Sequence, residues 1–220
     1  MRFLLIDTCG SEGSVALADT ENEPAVVASE RLPGRSSSER LMPAVRQAME
    51  ASGWRLKDLT AMVVVHGPGS FTGVRVGLSA AKGFSEAAGV PLIAVSRLAL
   101  LAALAGGADE RVVAVLDAGR GEFYMGEYVG HRCLREVLAD AAEVDVSSAG
   151  GAVVACEPRM AEVLARLEPR IVKEPSAEDA LPFAIERVAA KEFDDVAMLD
   201  ANYLRRTDAQ IFAKPKGAVS

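Results

Sequence analysis

"RFLLIDTCGSEGSVALAD", residues 2–19, is the stretch that decides the fold. An apolar run, Phe3–Ile6, stops at Asp7; turn-forming residues follow; "SVALAD" then resumes as a second extended segment. The pattern is that of a strand, a tight turn and a strand, which together make a hairpin. The same order returns at residues 111–129, "RVVAVLDAGRGEFYMGEYV". There a basic residue, an apolar run, Asp117, a small turn with Gly119 and another strand follow one another, so that Asp7 matches Asp117 and Gly10 lies near Gly119. Identity is low but organisation is shared, which points to an internal duplication and hence to two lobes.

Working outward, residues 24–32 give a third strand. The following helix, residues 38–52, puts Leu41, Val45, Ala48 and Met49 on one face and ends near Gly53. Ser36 and Glu39 before it have capping-box spacing, and Pro43 must kink it or sit in its first turn. Residues 60–66 form a buried strand, residues 73–88 a helix closed by Gly89, and residues 90–95 a short strand. Ser96 then caps a helix that runs to about Leu104. A β-meander followed by βα units predicts a mixed sheet carrying helices. The second half is thinner: "RMAEVLARL" and "EDALPFAIERVAAK" are helical, with "RIV" a short strand between them. The expected division is a lobe over 1–106, a second over 107–205, and a basic, flexible tail over 206–220. Arg205, Arg206, Lys214 and Lys216 form the basic group at that end.

The composition narrows the class. Half of the 220 residues are hydrophobic and only 5% aromatic, so the core must rest on Ala, Val and Leu. A net charge of −7 (24 basic, 31 acidic residues) speaks against a dedicated nucleic-acid surface. Cys9, Cys133 and Cys156 are odd in number and widely spaced, which fits neither a disulfide framework nor a zinc site. The first residues enter a strand without a signal-peptide pattern. The most apolar span, residues 87–108, is broken by Pro91 and Arg97, and no membrane segment is expected. The cytoplasm is the expected compartment.

A glycine-rich loop, "HGPGSFTGVRVG" at residues 66–77, is the strongest local signal. It fails three known mechanics. Val74 and Arg75 follow Gly73 where a P-loop needs Lys and Ser or Thr. Thr72 stands where a dinucleotide fingerprint needs its third glycine. Pro68 and Thr72 flank Ser70 where a nucleophile elbow needs glycines. The loop therefore reads either as an anion seat at a helix N-terminus or as a structural turn that launches the next helix. No HxxxH or HExxH exists, and the histidines are His66 and His131. No catalytic, cofactor-binding or metal-binding residue is assigned.

The helix after the loop has one polar stripe, Arg75, Ser79, Lys82 and Glu86; its other residues are small or apolar. Gly73, Gly77 and Ala81 repeat at i, i+4, a row along which another helix packs closely. The first helix of this chain, with Met42, Val45 and Met49, is one candidate to cover that row. Two such helices side by side still leave apolar surface outside, and such patches mark interfaces. The expected partner face comprises Leu41, Met42, Val45, Met49, Gly73, Val74, Gly77, Leu78 and Ala81.

These segments resemble a known family. "LLIDTCGSEGSVAL", "SSERLMPAV", "HGPGSFTGVRVGLSAAKGF", "GVPLIAVSRL" and "VLDAGRGEFYMGEY" are similar to the bacterial TsaB (YeaZ) family, in family order. The resemblance implies an α/β, actin-like (ribonuclease-H-like) two-lobed fold, with mixed sheets and flanking helices. It implies a non-catalytic subunit in making threonylcarbamoyladenosine at position 37 of tRNA. The catalytic homologue TsaD would be its heterodimer partner and the ATPase TsaE a third component. The two helices would pair with those of TsaD as a four-helix bundle, or form a homodimer in its absence, and tRNA would be met only through the complex. TsaD holds its metal with an HxxxH pair, which this sequence lacks. Two positions depart from the family pattern: Ser37 where His is common, and Ala201 where Pro is frequent. The competing reading is a metal-dependent peptidase or nucleotide hydrolase of the same superfamily, relying on Asp7, His66 or Ser70.

Overall fold

The computed structural model describes residues 1–205, so the expected tail over 206–220 lies outside the described residues. Two five-stranded sheets share one topology. The first is ordered β3-β2-β1-β4-β5 and the second β8-β7-β6-β9-β10, which matches it strand for strand. In the first, β1 (Arg2–Asp7) pairs antiparallel with β2 (Gly13–Asp19), and β2 with β3 (Val26–Leu32). On its other side β1 pairs parallel with β4 (Ala61–Val65), and β4 with β5 (Leu92–Val95). In the second, β6 (Arg111–Gly119), β7 (Glu122–Val129) and β8 (Arg132–Ala139) form the meander. The parallel strands there are β9 (Ala152–Ala155) and β10 (Arg170–Ile171). This is the actin-like arrangement, and it makes the duplication visible as topology.

The central strands carry unbroken apolar runs because both faces of each sheet are covered. Helices α1 (Ser37–Ser52) and α2 (Phe71–Ala88) cover one face of the first sheet. Their counterparts on the second sheet are α4 (Ala141–Ser148) and α5 (Pro158–Val163), which are much shorter. The facing sides of the two sheets exchange helices. Helix α3 (Arg97–Ala103), from the first half, packs on β6, β7 and β9. A 3-10 turn (Ala177–Ala180) and α6 (Leu181–Ala190), from the second half, pack on β1, β2, β4 and β5. Residues from about 176 on thus belong in space to the first sheet, although the reading by sequence order put them in the 107–205 lobe. One hydrophobic core, from Phe3 and Leu92 through Leu98 to Leu116 and Ala184, joins both halves.

Local chemistry sets the helix ends. Ser70 caps α2, its side chain accepting from the Gly73 amide, and Ser96 caps α3 by accepting from Leu98. The expected capping box at Ser36 does not form. A 3-10 turn, Gly34–Ser36, runs straight into α1, and the Ser36 hydroxyl donates to the Pro33 carbonyl instead. The capping box that does form joins Ser176 and Asp179 before α6. Pro43 sits inside α1 on its exposed side, beyond the first turn.

Candidate functional site

The glycine loop joins β4 to α2, and its glycines are explained by what they touch. A methyl at Gly69 would run into the Cys9 carbonyl, at Gly73 into the Thr8 carbonyl, and at Gly77 into the Thr8 hydroxyl. The turn between β1 and β2 therefore nests on the first two turns of α2. Thr8 Oγ1 donates to the Gly73 carbonyl at 2.6 Å, and the Ser70 amide donates to the Cys9 carbonyl at 2.9 Å. The amides of Ser70, Gly73 and Val74 are all committed within the chain. The hairpin turn thus occupies the Ser70 amide, while the Ser70 hydroxyl and carbonyl take those of Gly73 and Val74.

The two hairpin aspartates sit in equivalent turns. Asp7 Oδ1 accepts from the Cys9 amide at 2.8 Å, and Asp117 Oδ1 accepts from the Gly119 amide at 2.7 Å. Between the lobes, however, stands Arg97. It is buried, and its guanidinium donates to Glu174 at 2.6 Å. Glu174 also accepts from the amide and hydroxyl of Ser11, and a methyl at Gly10 would push on the carboxylate of Glu174 and the guanidinium of Arg97. Burial pushes the Asp7 carboxyl up, while the nearby Arg97 charge holds it back. Burial, reinforced by Asp7, pushes the Cys9 thiol well above its ordinary range, and its Sγ donates to the Val65 carbonyl. Cys9 is thus a buried structural thiol.

The residues of the hydrolase reading do not converge. His66 Nδ1 faces the Asp200 carbonyl at 3.2 Å, the Ser70 hydroxyl caps α2, and Asp7 is tied to its own turn. Among the described residues no three His, Cys, Asp or Glu side chains gather as a metal site.

The expected partner face divides differently from its reading. Leu41, Val45, Met49, Val74, Gly77, Leu78 and Ala81 are buried in the chain's own core, and Gly73 is half-buried. Of the nine, Met42 alone is exposed, at 52%. The Gly73–Gly77–Ala81 row faces β1 and its turn, not solvent. What α2 presents outward is a neighbouring pair of small-residue rows: Thr72, Val76 and Ala80, and Ser79, Gly83 and Ala87. Of these, Val76 and Ala80 are half-buried and the rest exposed, and nothing lies within 4 Å of a methyl built on Gly83. Sequence periodicity placed the helix, but a helix this rich in small residues has two plausible inner faces, and only the hairpin turn decides between them.

The family model "TsaD: tRNA N6-adenosine threonylcarbamoyltransferase" matches residues 30–211. The chain belongs to this family, on its TsaB (YeaZ) branch. A relative from Escherichia coli, named tRNA threonylcarbamoyladenosine biosynthesis protein TsaB, is 41% identical over 130 residues, which is 58% of this chain. The alignment spans 55% of that relative's length. An uncharacterized Mycobacterium tuberculosis protein, Rv3421c, is 34% identical over 214 residues, covering 96% of this chain and 94% of its own. Among solved structures, a Pseudomonas aeruginosa protein described as similar to peptidase YEAZ superposes with a TM-score of 0.77 at 29% identity, covering 93% of this chain and 99% of the other. Among the described residues no helix of this family member is long and apolar enough to cross a membrane.

Proposed function

We propose that this chain is a non-catalytic subunit of the machinery that makes threonylcarbamoyladenosine in tRNA. It docks on a TsaD-type catalytic homologue through the outward rows of α1 and α2, in the cytoplasm, with a TsaE-type ATPase as third component and a homodimer as the resting form. The observation that carries this reading is the open small-residue surface of α2, running from Thr72 to Ala87 beside the exposed Met42 of α1. Small residues at i, i+4 spacing let a second helix approach closely, and a surface of this kind beside an exposed Met suits a partner. The ties of the two aspartates support the absence of chemistry in this chain: Asp7 holds its own turn beside the buried Arg97, and Asp117 holds its turn and pairs with Arg159.

The test is reconstitution. Purified TsaD-type and TsaE-type partners, ATP, threonine, bicarbonate and the separate synthase are combined with unmodified tRNA, with and without this chain, and the modified nucleoside is quantified. Modification that depends on the chain, with no turnover by the chain alone, is expected. Modification that proceeds equally without it would remove the reading. The peptidase or nucleotide-hydrolase alternative predicts activity of the isolated chain that is lost in Asp7→Asn.

A further inference from the structure

On the flank of α2, at the mouth between the lobes, lies a cavity of about 420 Å³. The glycine loop and Phe71, the β6–β7 turn with Arg120, Tyr124 of β7, and the C-terminal residues Tyr203 and Arg205 line it. Its volume is within the range of small-ligand sites. Two features of this lining are not needed by the fold.

The first is a pair of exposed rings. Phe71 is 58% and Tyr203 38% exposed, although aromatics are scarce in this chain. Their centroids are 6.2 Å apart, and the Arg75 guanidinium lies 3.2 Å over the Phe71 ring and 5.1 Å from that of Tyr203. Arg75 thus covers one face of Phe71 and lies beside Tyr203. The second feature is Arg120. It is exposed and takes a left-handed backbone, φ 60, between Gly119 and Gly121 that do the same. Glycine or asparagine suits that conformation better, and a long side chain kept there against backbone strain points to a task outside the fold. No ion pair holds Arg120 among the described residues, whereas Arg205 is tied to Glu122 at 2.8 Å and to the carbonyls of Ala118 and Gly119.

Rings that stack and guanidiniums that meet a phosphate are the two halves of a nucleotide site. We propose that this cleft takes one unstacked nucleotide, its base on Phe71 and Tyr203 and its phosphate against Arg120. A free mononucleotide and an unpaired nucleotide of RNA share this chemistry; the preference for RNA rests on the tRNA function proposed above. The molecule's acidity does not oppose it, because Arg120 and Arg205 line the cleft and no Asp or Glu is among its lining residues. The site needs only one or two phosphate contacts and no basic surface.

The test uses the full chain and a 3′-fluorescein-labelled ten-nucleotide oligo(A) RNA, read by anisotropy at low salt, with AMP as competitor. Variants are Phe71→Leu, Tyr203→Leu and Arg120→Asn. Each ring variant is expected to weaken RNA binding about tenfold. Arg120→Asn is expected to weaken it several-fold and to lower the salt dependence by about one phosphate. Its melting temperature should be unchanged or higher, because asparagine accepts the left-handed backbone. Displacement of RNA by millimolar AMP places free nucleotide in the same site; ring-dependent binding that AMP does not displace assigns the site to RNA. Binding that is absent in the parent chain, or that all three variants keep at the parent's strength, overturns the proposal. The reconstituted modification assay keeps the two readings apart. Modification by the parent chain with no ring dependence of binding sinks only this inference, and no modification with the parent chain sinks the function.

Discussion

At the scale of single residues, three glycines spaced four apart do the same work. Gly69, Gly73 and Gly77 let the β1–β2 turn lie on α2, and each faces a different atom of Thr8 or Cys9. The spacing was legible in the sequence; the neighbour it serves was not, because a close approach between segments sixty-odd residues apart leaves no local mark. Gly73→Ala is therefore expected to destabilise by about 3 kcal/mol, since the methyl meets a backbone carbonyl that has no rotamer to escape into. Gly83→Ala, ten residues along the same helix, meets nothing and is expected to stabilise by about 0.5–1 kcal/mol through helix propensity alone. Urea melts of the two variants check the contrast. Equal effects would mean that the hairpin turn does not rest on α2.

At the scale of elements, strong periodicity was readable and weak periodicity was not. The buried strands other than β9, which went unread at four residues, and α1, α2, α3 and α6 follow from apolar runs and helical spacing. Strand β8, "RCLREVLA", was missed because it lies at a sheet edge and alternates poorly, with four exposed residues in succession. Helix α4, "AAEVDVSS", buries only Val144 and Ser147, too few to mark a face. The two helices were legible, but which of their rows face inward was not: most of the expected partner face lies in the chain's own core. The corrected geometry changes the informative mutation. At Gly77 a bulky charge would break the hairpin contact and with it the fold. At Gly83 it would stand in solvent. Gly83→Arg is expected to leave the melting temperature within a degree or two of the parent while abolishing co-purification with the TsaD-type partner. A complex that survives this change would mean that the outward rows of α2 are not the contact.

At the scale of the whole molecule, duplication and helix exchange make the two lobes one body, and Arg97 is its centre. The hairpins and their aspartates were legible because each repeats a short local grammar. The arginine was not, since in sequence it is one polar residue in an apolar helix. Its burial makes sense only when α3 is seen to lie between the sheets, with Asp7 near and Glu174 bonded to it. Removing it strands a buried carboxylate, so Arg97→Met is expected to lose about 3–5 kcal/mol near neutral pH. Asp7→Asn in the same chain should recover much of that loss, because the amide still accepts from Cys9 without a charge. The pH dependence has a definite sign. The folded Asp7 carboxyl lies above its ordinary 3.8 through burial, and loss of Arg97 raises it further. A group with a raised folded pKa binds its proton first in the folded state, so the penalty for its charge is full above that pKa. The penalty is relieved as pH falls through the folded pKa toward 3.8. The stability gap between Arg97→Met and the parent should therefore narrow as pH falls from neutrality toward the ordinary carboxylate range, and the double variant should narrow less, the remainder coming from Glu157, which burial also raises and Arg97 also holds back. A gap that stays constant or widens would mean that Arg97 acts through packing and Glu174 alone, and that the charge of Asp7 is not what it balances.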